Sequence, residues 1–265
     1  MFDMFHIPFM QKALAVSTLT GIFFSFAGVY VILRRIVFVS MALSQIAACG
    51  FAFGLLTGVS PSLISLAFTL GGVIIFSLHA QEKRLSRESF IGLMYALFSA
   101  LGIIFLAKSH EGEGGLLELF SGNILTVTNT EVSFVAGLFA VSLLAHLLFY
   151  RKFMFVFFDS ETAKTQGIQT DFWNFLFYLI LGAMISASIR TTGVLFAFSY
   201  LTIPAMTALL WTQKISSVFV TAVVVGVIAT VAGIILSFVR DFPGGVINVV
   251  VLSFIFLIVR LIKKP

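Results

Sequence analysis

The chain has 265 residues, of which 60% are hydrophobic and only 10% are charged, and its formal net charge is +5. Its mean hydropathy of +1.12 excludes an ordinary soluble domain, and its length provides for about eight to ten membrane helices of roughly 20 residues each. The basic residues lie singly and in pairs at the ends of apolar runs, so the positive charge is typical of membrane orientation and indicates no nucleic-acid partner.

Nine apolar runs follow one another along the chain, and they predict an all-α, polytopic transmembrane helical bundle of about eight to nine spans. No soluble domain interrupts them, so we expect a single transmembrane domain over residues 1–265. The region 172–211 leaves the count open, because Arg190 and Gly193 divide it and Pro204 would kink its second half. Eight spans with one re-entrant piece is the alternative. The runs are 10–33, 38–56, 63–79, 90–107, 132–150, 172–189, 194–211, 215–239 and 246–262.

Lysine and arginine are unevenly distributed between the two ends of the runs, and this distribution predicts the orientation of the chain. With nine spans the basic clusters fall on one side, whereas the loops on the other side hold few bases. We therefore expect the N-terminus outside and the C-terminus in the cytoplasm. The basic side carries Arg34, Arg35, Lys83, Arg84, Arg87, the loop 151–164, Lys214, Arg260, Lys263 and Lys264.

The second apolar run carries a thioether, an amide and a thiol on one face. Met41, Gln45 and Cys49 are four residues apart, so on a helix they fall within an arc of about 80°. Ser44 lies beside them. Two interpretations remain open from these residues: ordinary interior packing, or the wall of a path through the membrane.

The predicted spans contain almost no ionisable chemistry. No Asp or Glu lies within any of them, although pumps and ion-coupled carriers usually keep a carboxylate or a histidine in the membrane. Nothing resembles a nucleophile with its base or a conventional cluster of metal ligands, so we assign no catalytic residue, no metal ligand and no cofactor. An enzyme is therefore not expected.

The loop after the fifth run has the features of a short helix at about residues 158–168. A suitable N-cap, an acid in the first turn, a later base and a glycine stop follow in the right order. A helix of about two turns is too short to be stable alone in water, so its own spans or a partner must hold it. It is either a capped connector or a docking helix, and the pair Phe157–Phe158, which we expect to be exposed, favours docking. The four positions are Asp159, Glu161, Lys164 and Gly167.

Pro204 interrupts the second half of the region 172–211. It removes a backbone donor, and it predicts a kink there. The hydroxyls of Ser199, Thr202 and Thr207 are near enough in sequence to satisfy a freed carbonyl. A plain packing kink and a gating role both remain open.

Six segments in a characteristic order identify a family. The chain resembles the permease subunits of bacterial ABC importers for zinc, manganese and iron, the ABC-3 metal permeases, over nearly its whole length. No single motif is decisive, but the order of the six makes the resemblance specific. The segments are "GVYVILRRIVFVSMALSQIAACGFAFGLLTG", "RESFIGLMYALFSALGIIFLA", "LFSGNILTVT", "FDSETAKTQGI", "ISASIRTTGVLFAFSYLTIPAMTALL" and "DFPGGVINVVVL".

The resemblance implies a permease subunit in a bacterial plasma (inner) membrane, with a fold like that of the cobalamin-importer permease. It also implies a homodimer or a pair of permeases, two cytoplasmic ABC ATPase subunits that drive transport, and an extracytoplasmic substrate-binding protein that delivers the metal. The segment 158–168 would then be the coupling helix that sits in a groove on the ATPase. ATP hydrolysis in separate subunits would account for the missing intramembrane carboxylates.

The second run is where the sequence departs from the pattern of that family. Members typically have Gly, Asp, His and Pro where this chain has Ser40, Met41, Gln45 and Cys49, so both ionisable ligands are replaced. We expect a divalent transition metal (zinc, manganese or iron) that is coordinated weakly, with the binding protein setting specificity. The alternatives are a metal chelate or another small solute, a soft-metal face of Met41 and Cys49, and, from a different class, a stand-alone secondary carrier.

Overall fold

The regular structure of the chain is helical wherever it is described. The computed structural model describes residues 8–78, 86–110, 112–123 and 127–263, and these contain eleven α-helices and no strand. The predicted all-α class is therefore confirmed. The helices are α1 Pro8–Leu33, α2 Val37–Thr57, α3 Pro61–Leu78, α4 Arg87–Lys108, α5 Gly112–Ser121, α6 Asn129–Phe158, α7 Ser160–Thr165, α8 Thr170–Tyr200, α9 Ile203–Trp211, α10 Ile215–Arg240 and α11 Gly244–Ile262.

Eight helical stretches of the described chain are long and apolar enough to cross a membrane, in agreement with the predicted polytopic bundle. One of them, Thr170–Trp211, has 42 residues and contains both α8 and α9. As a straight helix it would extend roughly 63 Å, about twice the thickness of the hydrocarbon core. It is interrupted at Gly193, where φ is +83°, a value that glycine adopts far more readily than other residues.

The part of this stretch that follows its interruption has the length of a full crossing. The carbonyl oxygen of Thr192 lies beside Gly245 at the start of α11. At the other end, Lys263 Nζ, just past α11, donates a hydrogen bond of 2.9 Å to the carbonyl oxygen of Trp211. Residues 192–211 therefore lie beside α11 at both of its ends, although the whole stretch Thr170–Trp211 is one of the eight long apolar stretches. The choice between eight and nine crossings stays a prediction.

The chain divides into two compact units, each built from segments that are distant in sequence. The first comprises Met1–Ile32, Gly114–Ala136 and Ser188–Pro265, and the second comprises Leu33–Glu113 and Gly137–Ala187. The long helices α6 and α8 each contribute residues to both units.

A buried hydrogen-bonded group holds helices of the first unit together. Tyr200 at the end of α8 is fully buried. Its hydroxyl lies 2.8 Å from Thr230 Oγ1 on α10 and donates to Asn248 Oδ1 on α11 at 3.0 Å. Because such interhelical hydrogen bonds contribute about 0.6–2 kcal/mol each in lipid, the group stabilises the packing of α8, α10 and α11.

In the second unit α2 packs closely against α3. A Cβ at Gly54 would lie 2.5 Å from Pro61 Cα, so only glycine permits this approach. Ser65 of α3 donates to the carbonyl oxygen of Ala47 at 2.9 Å and accepts a hydrogen bond of 3.0 Å from Ser186 of α8. The position of α2 is therefore determined by both backbone contact and buried hydrogen bonds.

Candidate functional site

The predicted path face of α2 is largely buried. Ser44 and Cys49 are fully buried, Gln45 is 6% exposed, and Met41 is partly exposed. Cys49 lies against α4, because a Cβ at Gly102 would be 3.4 Å from its Cα and 3.7 Å from its Cβ. The structure therefore places Cys49 in the packing of α2 against α4.

The polar groups on this face of α2 differ in their partners. Ser44 Oγ donates to the carbonyl oxygen of Ser40 at 3.0 Å, so its hydroxyl is satisfied within the helix. No hydrogen bond links the Gln45 amide to another side chain of the described chain. Because no side chain of the described residues bonds it, the Gln45 amide is the polar group of this face that is available to a solute.

In the described part of the chain, this face of α2 belongs to no metal cluster of the usual kind. Among the described residues there is no group of three or more His, Cys, Asp or Glu side chains that could hold a metal ion. Any cation that passes here would meet the neutral amide of Gln45 and the thioether of Met41. These are weak ligands for a divalent ion compared with carboxylate or imidazole.

The short helix predicted after the fifth run is α7. Asp159 is its N-cap, as predicted: Oδ1 accepts a hydrogen bond of 3.0 Å from the amide of Thr162, and Oδ2 accepts one of 2.6 Å from the Thr162 hydroxyl. The hydroxyl and then the amide of Thr162 lower the pKa of Asp159, because both bonds stabilise the charged carboxylate. Glu161 in the first turn complements the positive end of the helix.

Gly167 ends α7, again as predicted. With φ at +76°, it donates to the carbonyl oxygen of Lys164, and Ile168 donates to that of Ala163, both at 3.0 Å. This pair of bonds is a Schellman motif, which satisfies carbonyl groups that the helix end leaves free. The regular helix has six residues, fewer than the expected two turns, because the capping residues on either side do not have helical geometry.

Apolar contacts hold α7 within the second unit. Ala163 is fully buried, and Phe157, which precedes the N-cap, is 3% exposed. The ring of Phe157 packs against that of Phe177 in α8, with 4.6 Å between the centres. The prediction that Phe157 is exposed is therefore wrong, because this ring anchors the loop to α8, whereas Phe158 is 38% exposed.

A polar cavity of about 200 Å³ lies beside α7. Its lining includes Lys164 of α7, Asn174 of α8 and Arg34, which follows α1. Arg34 Nη2 donates to Asn174 Oδ1 at 3.0 Å, and the guanidinium carbon lies 5.4 Å from the centre of the Phe157 ring. No sequence pattern beyond a basic pair indicated Arg34, because its partner Asn174 is 140 residues away.

Pro204 lies in the first turn of α9, after a true break between two helices. α8 ends at Tyr200 and α9 begins at Ile203. Three hydroxyls near the break donate to carbonyl groups one turn earlier: Thr202 to Phe198, Ser199 to Phe196 and Thr207 to Ile203, at 2.8–3.0 Å. None of the three reaches the carbonyl oxygen of Tyr200, which is the group that Pro204 leaves without its usual helical donor. The predicted local satisfaction of that carbonyl therefore stays a prediction.

A second polar cluster, in the first unit, was not expected from the sequence. Arg190 Nη1 forms an ion pair of 2.8 Å with Glu131 Oε1. Glu131 Oε2 also accepts hydrogen bonds from the amide and the hydroxyl of Thr128 at 2.8 and 2.9 Å, and the amide of Asn123 donates to the carbonyl oxygen of Arg190 at 3.0 Å. The charge of Arg190 is thus balanced by Glu131, which explains how an arginine is tolerated within an otherwise apolar stretch.

Comparison with known proteins places the chain in one family. The sequence profile of the ABC 3 transport family matches residues 6–263. The manganese transport system membrane protein MntC of Listeria monocytogenes is 28% identical over 252 residues, which cover 94% of this chain and 89% of that protein. A Haemophilus influenzae protein named "Probable iron transport system membrane protein" is 26% identical over 258 residues, which cover 96% of this chain and 90% of that protein.

A solved structure has the same fold. The chain is similar to one in PsaBC from Streptococcus pneumoniae in complex with Fab, with a TM-score of 0.86 at 25% identity, covering 97% of this chain and 93% of that one. The resemblance drawn from the six sequence segments is confirmed. The chain therefore belongs to the ABC 3 transport family, as a multi-pass bacterial membrane permease.

Proposed function

We propose that this permease imports a divalent transition metal into the cytoplasm, with manganese and iron as the first candidates and zinc as the third. The observation that carries the proposal is the match to the ABC 3 transport family over residues 6–263. The relatives from Listeria monocytogenes and Haemophilus influenzae, named for manganese and iron, support the choice of metals.

We propose that the metal contacts α2 through Gln45 and Met41, with Ser44 and Cys49 as packing residues on the same face. The amide oxygen of Gln45 is a neutral ligand of the type that manganese accepts. Weak coordination suits transit, because an ion must leave the path as readily as it enters it. Pro204 is proposed to maintain the break between α8 and α9, because it lies in the first turn of α9 and has no backbone donor with which to continue α8.

The work of transport is proposed to come from partners. Two cytoplasmic ATPase subunits would dock on α7 of a homodimeric permease, and an extracytoplasmic binding protein would deliver the metal. The caps of α7, together with the exposed side chains of Glu161 and Lys164, support the docking role. The chain itself would be a translocation subunit without catalytic activity. A stand-alone secondary carrier is the alternative, and it would transport without any ATPase.

A metal chelate is the second candidate for the cargo. One observation favours it: Met41 and Gln45 provide neither a carboxylate nor an imidazole. A chelate carries its own ligands and needs only neutral contacts from the path. A free divalent ion would gain little from the same contacts.

Elemental mass spectrometry tests the proposed cargo. Cells with and without this gene, lacking redundant importers, are grown separately under limitation of manganese, iron and zinc. We expect a selective deficit of one metal in the deletion strain. Unchanged contents of all three metals would refute import of a free metal, and uptake of a labelled chelate by the same strains would then support the second candidate.

Gln45 and Cys49 provide a matched pair of variants for the path. Gln45→Leu removes the available amide and should lower metal uptake by about tenfold, whereas Cys49→Ser should leave it within about twofold, because Cys49 packs against α4. Equal uptake by the two variants would contradict the assignment of Gln45 to the path.

A further inference from the structure

At one end of the second unit a single side chain, Arg34, contacts both segments that flank α7. We propose that Arg34 is a positioning residue that couples α7 to α2, so that displacement of the docked helix moves the helix that carries Met41 and Gln45. This inference rests on the proposed function, because it takes α7 as the helix on which the ATPase docks. It goes further by assigning the link between the ATPase and the path to one guanidinium.

The contacts of Arg34 lie before and after α7 in the chain. Its Nη2 donates to Asn174 Oδ1 at 3.0 Å, near the start of α8. Its guanidinium carbon lies 5.4 Å from the centre of the ring of Phe157, in the last turn of α6. One residue separates α6 from α7, and α8 begins at Thr170. Arg34 is therefore attached to both ends of the docking segment.

The two segments that Arg34 contacts are firmly joined to each other. The rings of Phe157 and Phe177 are 4.6 Å apart, and Phe153 lies edge-on to Trp173 at 5.5 Å. All four side chains are buried. Aromatic pairs in these arrangements contribute more than their buried area alone. We therefore expect the end of α6 and the start of α8 to move together with α7.

A short turn connects Arg34 to α2. The helix begins at Val37, three residues after Arg34, and the intervening Arg35 has a φ of +57°. This left-handed conformation is rare for residues other than glycine, asparagine and aspartate. Because the turn is short and conformationally constrained, it has little freedom to absorb a displacement of Arg34. Such a displacement would reach Met41, four residues after the start of α2.

The cavity beside α7 explains why a directional contact is needed at this place. Ser160 and Lys164 of α7 line it together with Arg34 and Asn174, and its volume is about 200 Å³. Most of the residues that line it are polar, with the rings of Phe76 and Tyr178 beside them. The observed link from Arg34 to the neighbouring segments consists of a hydrogen bond and a cation–π contact. A guanidinium makes both at once through its planar fork, whereas a lysine ammonium is a compact charge without a planar face.

The competing explanation is that Arg34 only contributes positive charge to the cytoplasmic side. Arg35 is the matched control, because it is adjacent, has the same charge and is exposed. Its side chain forms no hydrogen bond or ion pair with any residue in the described ranges. If only the positive charge matters, Arg34→Lys and Arg35→Lys must have the same effect on transport coupling, because both keep that charge.

The test measures the movement of α2 in the complex of permease and ATPase, in lipid nanodiscs. Cys49 is the only cysteine of the chain, so Met41→Cys in a Cys49→Ser chain provides a single thiol at the path face. The rate of maleimide labelling is compared between the nucleotide-free complex and the complex trapped with ATP and vanadate. We expect nucleotide to change this rate, Arg34→Lys to reduce the change roughly fivefold, and Arg35→Lys to leave it intact.

Several outcomes would overturn the inference. These are an unchanged response in Arg34→Lys, an equal loss in Arg35→Lys, and no response to nucleotide in the parent chain. If Arg34→Lys, but not Arg35→Lys, lowers the thermal unfolding midpoint or abolishes ATPase binding, the residue has a structural role and specific coupling is refuted. Asn174→Asp added to Arg34→Lys should recover part of the response, because an ammonium–carboxylate pair restores a directional link.

The labelling test is independent of the cargo. It uses nucleotide and a thiol reagent, and it requires no metal. A wrong assignment of the metal would therefore appear in the metal content of cells while the labelling result stands. If Arg34 does not couple α7 to α2, the labelling rates will show it, and the result for metal import by the unaltered chain will be unaffected.

Discussion

Gly167, the residue that ends α7, offers a sharp test of the docking helix. Its φ is +76°, and no atom lies within 4 Å of the position that a Cβ would take. Replacement by alanine therefore introduces no collision. Its cost is that of placing an L-residue in the left-handed region, about 1–2 kcal/mol. Asparagine adopts this conformation more readily, and valine less readily, so Gly167→Asn should cost less than alanine and Gly167→Val at least as much.

This cost is large for α7, because a helix of six residues is marginal without its caps. A loss of about 1–2 kcal/mol lowers the equilibrium constant for forming the capped helix by roughly 5- to 30-fold, and the Kd for the ATPase rises by up to the same factor if only that form docks. We expect affinity to fall in the order glycine, asparagine, alanine, valine. The assay is biolayer interferometry with the permease in nanodiscs and the purified ATPase.

Gly137 is the matched control for Gly167. It lies inside α6, where an added Cβ would also have no atom within 4 Å, but its backbone is helical. Gly137→Ala should therefore leave the ATPase affinity unchanged and favour the helix by about 0.5–1 kcal/mol. Equal affinities for the unaltered chain, Gly167→Ala and Gly167→Val would refute the reasoning, since left-handed strain would then have no effect on docking.

Three further predictions concern the cap, the ion pair and a close helix contact. Hydrogen bonds lower the pKa of Asp159 below its ordinary 3.8, so the ionised cap should remain intact at neutral and mildly acidic pH and be lost only as the pH falls through that lowered pKa. A fall in ATPase affinity between pH 7 and about 5 that is absent from Asp159→Asn would contradict this. Glu131→Gln keeps an acceptor for the cap of α6 but removes the charge paired with Arg190. The side chains of Glu131 and Arg190 are 18% and 39% exposed, so Glu131→Gln should lower the free energy of unfolding in detergent by at most about 1 kcal/mol. A larger loss would be inconsistent with a partly exposed ion pair. Gly28→Val would place a carbon 2.5 Å from the carbonyl oxygen of Leu201 and should cost about 1–3 kcal/mol, detected by thermal unfolding, whereas an unchanged midpoint would show that α1 is free to shift.

The ends of α7 illustrate what local sequence can predict. The N-cap Asp159 is bonded to Thr162, three residues away, and Gly167 closes the helix through carbonyl groups of the preceding turn. Both motifs depend on near neighbours and on the conformational preference of a single residue. The burial of Phe157 was not predictable in this way, because it depends on Phe177, which belongs to another helix.

The break at Gly193 illustrates an intermediate case. The sequence indicated that Arg190 and Gly193 divide a long apolar region, but it left eight and nine spans open. The positive φ of Gly193 and the contacts of Thr192 and Trp211 along α11 show where the region is interrupted and which helix its second part accompanies. These contacts join parts of the chain that are far apart in sequence, so periodicity alone could not reveal them.

The sequence by itself determined the membrane class, the helical fold and the caps of α7. It could do so because backbone groups in lipid must be satisfied within each helix, and because caps are local. Only the tertiary structure decided which side of α2 meets α4, since a helix that is apolar nearly all round carries no stripe to mark its inner face. It also joined Arg34 to Asn174 across 140 residues and Arg190 to Glu131 across 59. Such contacts arise from packing in three dimensions, and they leave no periodic pattern in the chain.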